Sequence, residues 1–136
     1  MYLQSYKNYY VPSDAWIDGW FTSDLSWLRS TRLFGYGVVS GRMFMRRKNR
    51  NNESPKGIHL KNMVASEVMG LTVVDTINHG VTLGGKGVGG GATVFDPANW
   101  NSLSHLKVFN WRGNGDGVHV FSFWNEIHDL FLRTQD

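Results

Sequence analysis

A short glycine-led run of alternating apolar and polar residues occurs three times in this chain, as GIHL at 57–60, GVTL at 80–83 and GVHV at 117–120. A strand of this length cannot bury its apolar side alone, so repeated copies constrain the chain to stack them. Gly80 follows Gly57 by roughly 23 positions, a spacing in the range of stacked repeats. Gly117 follows Gly80 at a longer interval. The glycine- and polar-rich insertion GGKGVGGGATVFDPANWNS accounts for the excess. A basic period of roughly 22 to 23 positions follows.

A second pattern runs out of phase with the first: RLFGYGVVSG (32–41), EVMGLTVVDT (67–76), HLKVFNWRG (105–113) and EIHDLFLRT (126–134). The last two superpose when shifted by one such period, with Leu130 on Val108, Phe131 on Phe109 and Asp136 on Asn114. Short β-branched strands with glycine and asparagine between them predict an all-β solenoid of about five coils, each pairing its backbone with the next. The competing arrangement is an antiparallel sandwich, whose strands also recur every eight to twelve residues. Helical spacing of Trp124, Ile127, Leu130 and Phe131 offers a C-terminal helix as the alternative for that stretch. The match to HLKVFNW favours strand.

At 136 residues the chain is one domain, 1–136, and with 41% hydrophobic residues and six Trp it is expected to fold. The formal charge of +3 comes without a basic stripe interleaved with aromatics, so nucleic acid is not an expected partner. No apolar run is long enough to span a bilayer, and no membrane association is expected. The absence of cysteine removes disulfides and thiolate-bound zinc but leaves the compartment open.

The stretch YYVPSDAWIDGWFTSD followed by RLFGYGVVSG resembles the opening coils of pectin-lyase-like polysaccharide hydrolases, which fold as a right-handed parallel β-helix. There a P-x-G-A-W-V-x-G element precedes G-x-G-V-L-S-G. Pro12, Ala15, Trp16, Ile17 and Gly19, then Gly35, Gly37, Val38, Val39, Ser40 and Gly41 fill those positions, with Asp14 in place of a glycine. NGDG at 114–117 resembles the N-x-D-G signature of the polygalacturonase group, glycoside hydrolase family 28. The surroundings of Trp16 are also similar to the dextranase and isopullulanase group, family 49. In both groups a pair of adjacent aspartates follows the first by about twenty residues, and Asp136 falls at the first of that pair. The resemblance thus implies the N-terminal part of an inverting glycosidase, lacking later coils, with a polysaccharide substrate, no cofactor, and a secreted or periplasmic location.

Glycoside hydrolysis needs one acid to protonate the leaving oxygen and one carboxylate to activate water. In a solenoid, positions one coil apart lie about 4.8 Å apart, so acids about twenty residues apart can meet on one face. By the resemblance, Asp136 is the general acid, Asp116 activates water and Asn114 orients the site. His79 precedes Gly80 as Asp116 precedes Gly117, which places it at the same edge one coil earlier as a sugar contact. Trp111, closest in sequence to Asp116 among Trp100, Trp111 and Trp124, is the expected sugar platform. His59 and His119 occupy matching strand positions and are expected to stack. Metal binding is not expected of them, for want of acidic ligands at a supporting spacing.

The Gly85, Gly87, Gly90 pattern is not expected to be a dinucleotide site, because the ATVFDPAN that follows begins β-like and runs into proline instead of predicting a helix. The basic stretch 46–56 is expected to be a solvated loop. A non-catalytic carbohydrate-binding or adhesion solenoid of the tailspike kind is the rival to the hydrolase. An uncapped last coil would expose strand edges to a partner or to self-association.

Overall fold

A computed structural model describes residues 1–23, 28–43, 57–84, 100–112, 115–121 and 124–135. The chain is an all-β parallel β-helix of five coils, and every strand pairing among the described residues is parallel. Neither the antiparallel sandwich nor the C-terminal helix is formed.

Three five-stranded sheets run along the stack, with a two-stranded pairing of Leu28–Arg29 and Met63–Val64 beside them. Sheet A contains Tyr2–Leu3, Phe21–Ser23, Ile58–Lys61, Val81–Gly84 and Val118–Phe121. Sheet B contains Asn8–Val11, Arg32–Gly35, Glu67–Met69, Ser102–Ser104 and Glu126–His128. Sheet C contains Trp16–Asp18, Val38–Ser40, Thr72–Val74, Lys107–Asn110 and Phe131–Thr134. The glycine-led repeats are the strands of sheet A, with Ile58, Val81 and Val118 in register. Three of the four units of the second pattern supply two strands, one for sheet B and one for sheet C, divided by a corner; HLKVFNWRG supplies only the sheet C strand, and its sheet B strand, Ser102–Ser104, lies just before it.

Alternation along each strand sends aliphatic side chains inward, where they stack in columns. Leu33, Val68 and Leu103 form one, and Val39, Val73 and Val108 another; all six are fully buried. Burying each side chain contributes about 1.5–3 kcal/mol. The last members, Ile127 and Leu132, are 41% and 46% exposed, because no coil among the described residues covers them. Gly57 and Gly80 are glycines because the coils approach closely there. A Cβ at Gly57 would lie 2.6 Å from the Gly80 carbonyl oxygen, and one at Gly80 would lie 2.8 Å from that of Gly117.

The coil spacing differs from the sequence expectation. Phe131 pairs with Lys107 and Leu132 with Val108, an offset two positions longer than superposing Leu130 on Val108 requires. In the first two coils Trp16 pairs with Val38, which does keep the shorter spacing. Coil length varies with the corners while the strands stay in register, so the superposition of Leu130 on Val108 is not the register of the fold.

The corner from sheet A to sheet B is built from two columns that the sequence did not reveal. Tyr6, Ser30, Ala65, Trp100 and Trp124 all have positive φ, between 47° and 71°. These left-handed residues bend the chain. From the second coil on, the next residue carries a polar side chain that caps the coil before it. The Thr31 amide donates to Ser66 Oγ (3.0 Å), the Ser66 amide to Asn101 Oδ1 (3.1 Å), and the Asn101 amide to Asn125 Oδ1 (3.3 Å). Thr31, Ser66 and Asn101 are buried, and this ladder satisfies amides that would otherwise be desolvated without a partner.

Candidate functional site

The corner from sheet C back to sheet A carries Asp116. Its backbone oxygen accepts the Gly80 amide at 2.8 Å, which places His79 directly beside it one coil earlier, in the register expected from the repeats. The loop that carries His79 is held by a network that reaches Asn110 of the next coil. Asn110 Nδ2 donates to Thr76 Oγ1 (2.6 Å) and to the Asn78 carbonyl (2.9 Å), and the His79 amide donates to Asn78 Oδ1 (3.0 Å). Asn110 is fully buried, so the loop in front of Gly80 is tied to the core. Gly115 fits against this network, since a Cβ there would lie 2.7 Å from Asn110 Nδ2.

The side chains converge. His79 Nδ1 lies 2.9 Å from Asp116 Oδ2, and His119 Nδ1 lies 3.9 Å from the same oxygen. The two imidazole rings meet edge to face, with centroids 4.6 Å apart. The His79 side chain is 14% exposed, whereas those of Asp116 and His119 are 39% and 38% exposed, so one side of the carboxylate is open to solvent. Such an arrangement can hold a proton between carboxylate and imidazole, or hold a cation between them.

The expected stack of His119 on His59 is interrupted. They do share an outward-facing column, but Thr82 stands between them, paired with His59 on one side and His119 on the other. His119 instead turns toward Asp116, three residues before it. Contrary to the expectation that set metal ligation aside, an acid therefore does stand beside His119.

Trp111 is at the same corner, 49% exposed, with the Arg133 guanidinium 5.0 Å from its ring centroid. Trp100 and Trp124 stack at 5.2 Å at the other end of sheet A, remote from Asp116 in the coil. Asn114 and Asp136 lie outside the described residues, as do the glycine-rich segment from Gly85 onward and the basic stretch 46–56. No protein-family model, curated protein or solved structure matches the chain. The likeness to the polygalacturonase and dextranase groups therefore rests on the motifs alone.

A second surface has no counterpart among the sequence expectations. At the corner between sheets B and C, Tyr10, Phe34, Tyr36, Met69 and His105 line a groove of about 390 Å³. It continues past Tyr36, Gly70 and His105 into a shallower one of about 330 Å³ that ends at Asp129, Leu130 and Phe131. Together they cross all five coils on a different corner from Asp116. In the first three coils the signal in the sequence was a large apolar residue standing outward just before the corner: Tyr10 before Val11, Phe34 before Gly35 and Met69 before Gly70.

At the far end of that groove His128 Nδ1 and Asp129 Oδ2 are 2.8 Å apart, and His105 Nε2 lies 3.4 Å from the same carboxylate oxygen. The hydrogen bond to Asp129 raises the His128 pKa above the ordinary 6.5, and the same bond lowers that of Asp129 below the ordinary 3.8. The His128 contribution to stability is complete below the ordinary histidine pKa and is lost as pH rises through the raised value. The Asp129 contribution is complete above the ordinary carboxylate pKa and is lost as pH falls through the lowered value. Both groups are exposed, so the effect is local. An NMR titration of the His128 ring is expected to have its midpoint above 6.5, returning to the ordinary value in Asp129→Asn. A midpoint unmoved by that substitution would show that the pair does not form in solution.

Proposed function

We propose that this β-helix acts on a polysaccharide as a glycosidase, with Asp116 as the carboxylate that activates water. His79 holds that carboxylate in place, Trp111 offers a ring face to the sugar, and Asp136 is the acid that protonates the leaving oxygen. The observation that carries the reading is the 2.9 Å approach of His79 Nδ1 to a carboxylate that keeps an open side. It is supported by the N-x-D-G likeness at 114–117, where the family pattern expects a reacting aspartate. Asn114 would orient the site. A mechanism in which water attacks from the face opposite the leaving group inverts the anomeric centre and needs no cofactor.

Reducing-sugar release from dextran, pullulan and polygalacturonate by the whole chain tests this. Turnover of one of them is expected, falling about 10²–10⁴-fold in Asp116→Asn, the usual contribution of a positioned acid or base. Asp136→Asn is expected to lose activity by a similar factor. Turnover that survives Asp116→Asn unchanged would dismiss the assignment.

The aromatic groove at the other corner favours a second reading, a non-catalytic glycan-binding solenoid. Tyr10 and Phe34 lie with ring centroids 5.4 Å apart, and Tyr36 is 72% exposed, so flat apolar faces are presented in series along the stack. Under that reading no substrate is turned over, and Tyr36→Ala weakens glycan retention in affinity electrophoresis while Asp116→Asn leaves it unchanged.

A further inference from the structure

Two imidazole nitrogens and one carboxylate oxygen meet at the corner between sheets C and A. One ring nitrogen each from His79 and His119 and an Asp116 carboxylate oxygen all lie within 4.8 Å of one another. We propose that these three residues form a binding site for a divalent transition-metal ion of the zinc class. It shares His79 and Asp116 with the glycosidase reading but not its test, which measures binding and not turnover, so the two readings fail separately.

Distance supports it first. Ligands at about 2.0–2.1 Å around a four-coordinate ion lie roughly 3.3 Å from one another. The contacts here, 2.9 Å from His79 Nδ1 and 3.9 Å from His119 Nδ1 to Asp116 Oδ2, bracket that separation. Only small side-chain rotations are needed to admit an ion.

The donor set selects the ion. Two neutral imidazoles and one carboxylate suit zinc, cobalt, nickel or iron, whereas calcium and magnesium take oxygen ligands almost exclusively. Three protein ligands leave a fourth position for water on the side where Asp116 and His119 are open to solvent.

The ligands are also held. Both Nδ1 atoms are buried, and His79 sits on the Asn110, Thr76 and Asn78 network. His119 is fixed by its strand pairing with Thr82. Thr82 is 2% exposed, and its Oγ1 has no hydrogen-bond partner among the described residues. A buried hydroxyl of this kind, one strand spacing from a ligand, is a suitable acceptor or donor for a bound water.

The His105, His128 and Asp129 cluster has similar composition but lies on the surface, with side chains 59%, 43% and 63% exposed. Lacking a buried network beneath it among the described residues, it serves as the internal control.

The test uses the full chain after dialysis against chelator, titrated with cobalt chloride and followed by the visible bands of four-coordinate cobalt, then with zinc chloride by calorimetry. One equivalent of cobalt is expected to bind and to be displaced by zinc, while calcium chloride gives no heat. Loss of an outer partner alone costs about 10–100-fold in affinity, so Asp116→Asn and His119→Gln are each expected to weaken binding by more than about 100-fold. His105→Gln combined with His128→Gln is expected to leave it unchanged. If the single variants fail to fold, the unaltered chain gives the answer by NMR, where zinc is expected to shift the ring nitrogens of His79 and His119. Absence of any cobalt or zinc binding, or binding that follows only the His105 and His128 rings, would overturn the proposal.

Discussion

Leu103→Ala is expected to destabilise the fold by about 3–4 kcal/mol, within the usual range for truncating a buried leucine. Leu103 is fully buried in the fourth coil, with Val68 beneath it and Ile127 above it. Coils on both sides are fixed by backbone pairing, so they cannot collapse into the space left behind. With a urea slope of about 1–3 kcal/mol per molar, the unfolding midpoint should fall by at least about 1 M. Ile127 supplies the comparison, because it occupies the same column in the last coil but is 41% exposed. Ile127→Ala is expected to cost less than half as much. Equal losses would mean that the last coil is covered in solution, or that the column is not the core.

Gly35→Ala is the second large effect, with an expected loss of about 3 kcal/mol or more, beyond the ordinary range for a point substitution. Two causes add. Gly35 has φ of 135°, which L side chains rarely adopt, and an added Cβ would fall on the Val11 carbonyl oxygen and lie 2.8 Å from its carbon. Those atoms belong to the backbone of the coil below and can move only by breaking the pairing of Val11 with Gly35. The same corner position two coils later is His105, with φ of 55°, a left-handed value that histidine tolerates better than most residues. His105→Gly is accordingly expected to leave stability in urea within about 0.5 kcal/mol of the parent or to raise it slightly, because a left-handed strain is relieved. A Gly35→Ala variant as stable as the parent would show that the corner is looser than the close approach of its coils implies.

The contrast between these two positions shows where the sequence was informative. Gly35 and Gly70 mark the corner plainly, and the residues around them gave the strands of sheets B and C. His105 and Asp129 continue the same column without glycine, so neither the corner nor the groove beside it was visible from residue type. The ladder of Thr31, Ser66, Asn101 and Asn125 was hidden for a related reason. Its members differ chemically and are separated by unequal stretches of chain, and only their shared place after a left-handed residue unites them.

The candidate site divides similarly. His79 and Asp116 were paired correctly because each precedes the glycine of a repeat, and backbone pairing carries that equivalence into space. His119 matches His59 in its place within the repeat, and nothing in residue type distinguishes its turn toward Asp116.

Taken alone, the order of residues determined that apolar positions recur at strand spacing, favoured a parallel stack over a sandwich, and placed His79 and Asp116 at equivalent positions before the glycine of a repeat. Tertiary structure decided how much chain each turn of the stack spends on its corners. That allotment moved the last strand by two positions relative to the expectation, because parallel strands align through hydrogen bonds and side-chain columns while corners absorb the extra length. It also decided which imidazoles face a carboxylate, since side-chain direction at a corner follows from backbone dihedrals fixed only when the neighbouring coils are in place.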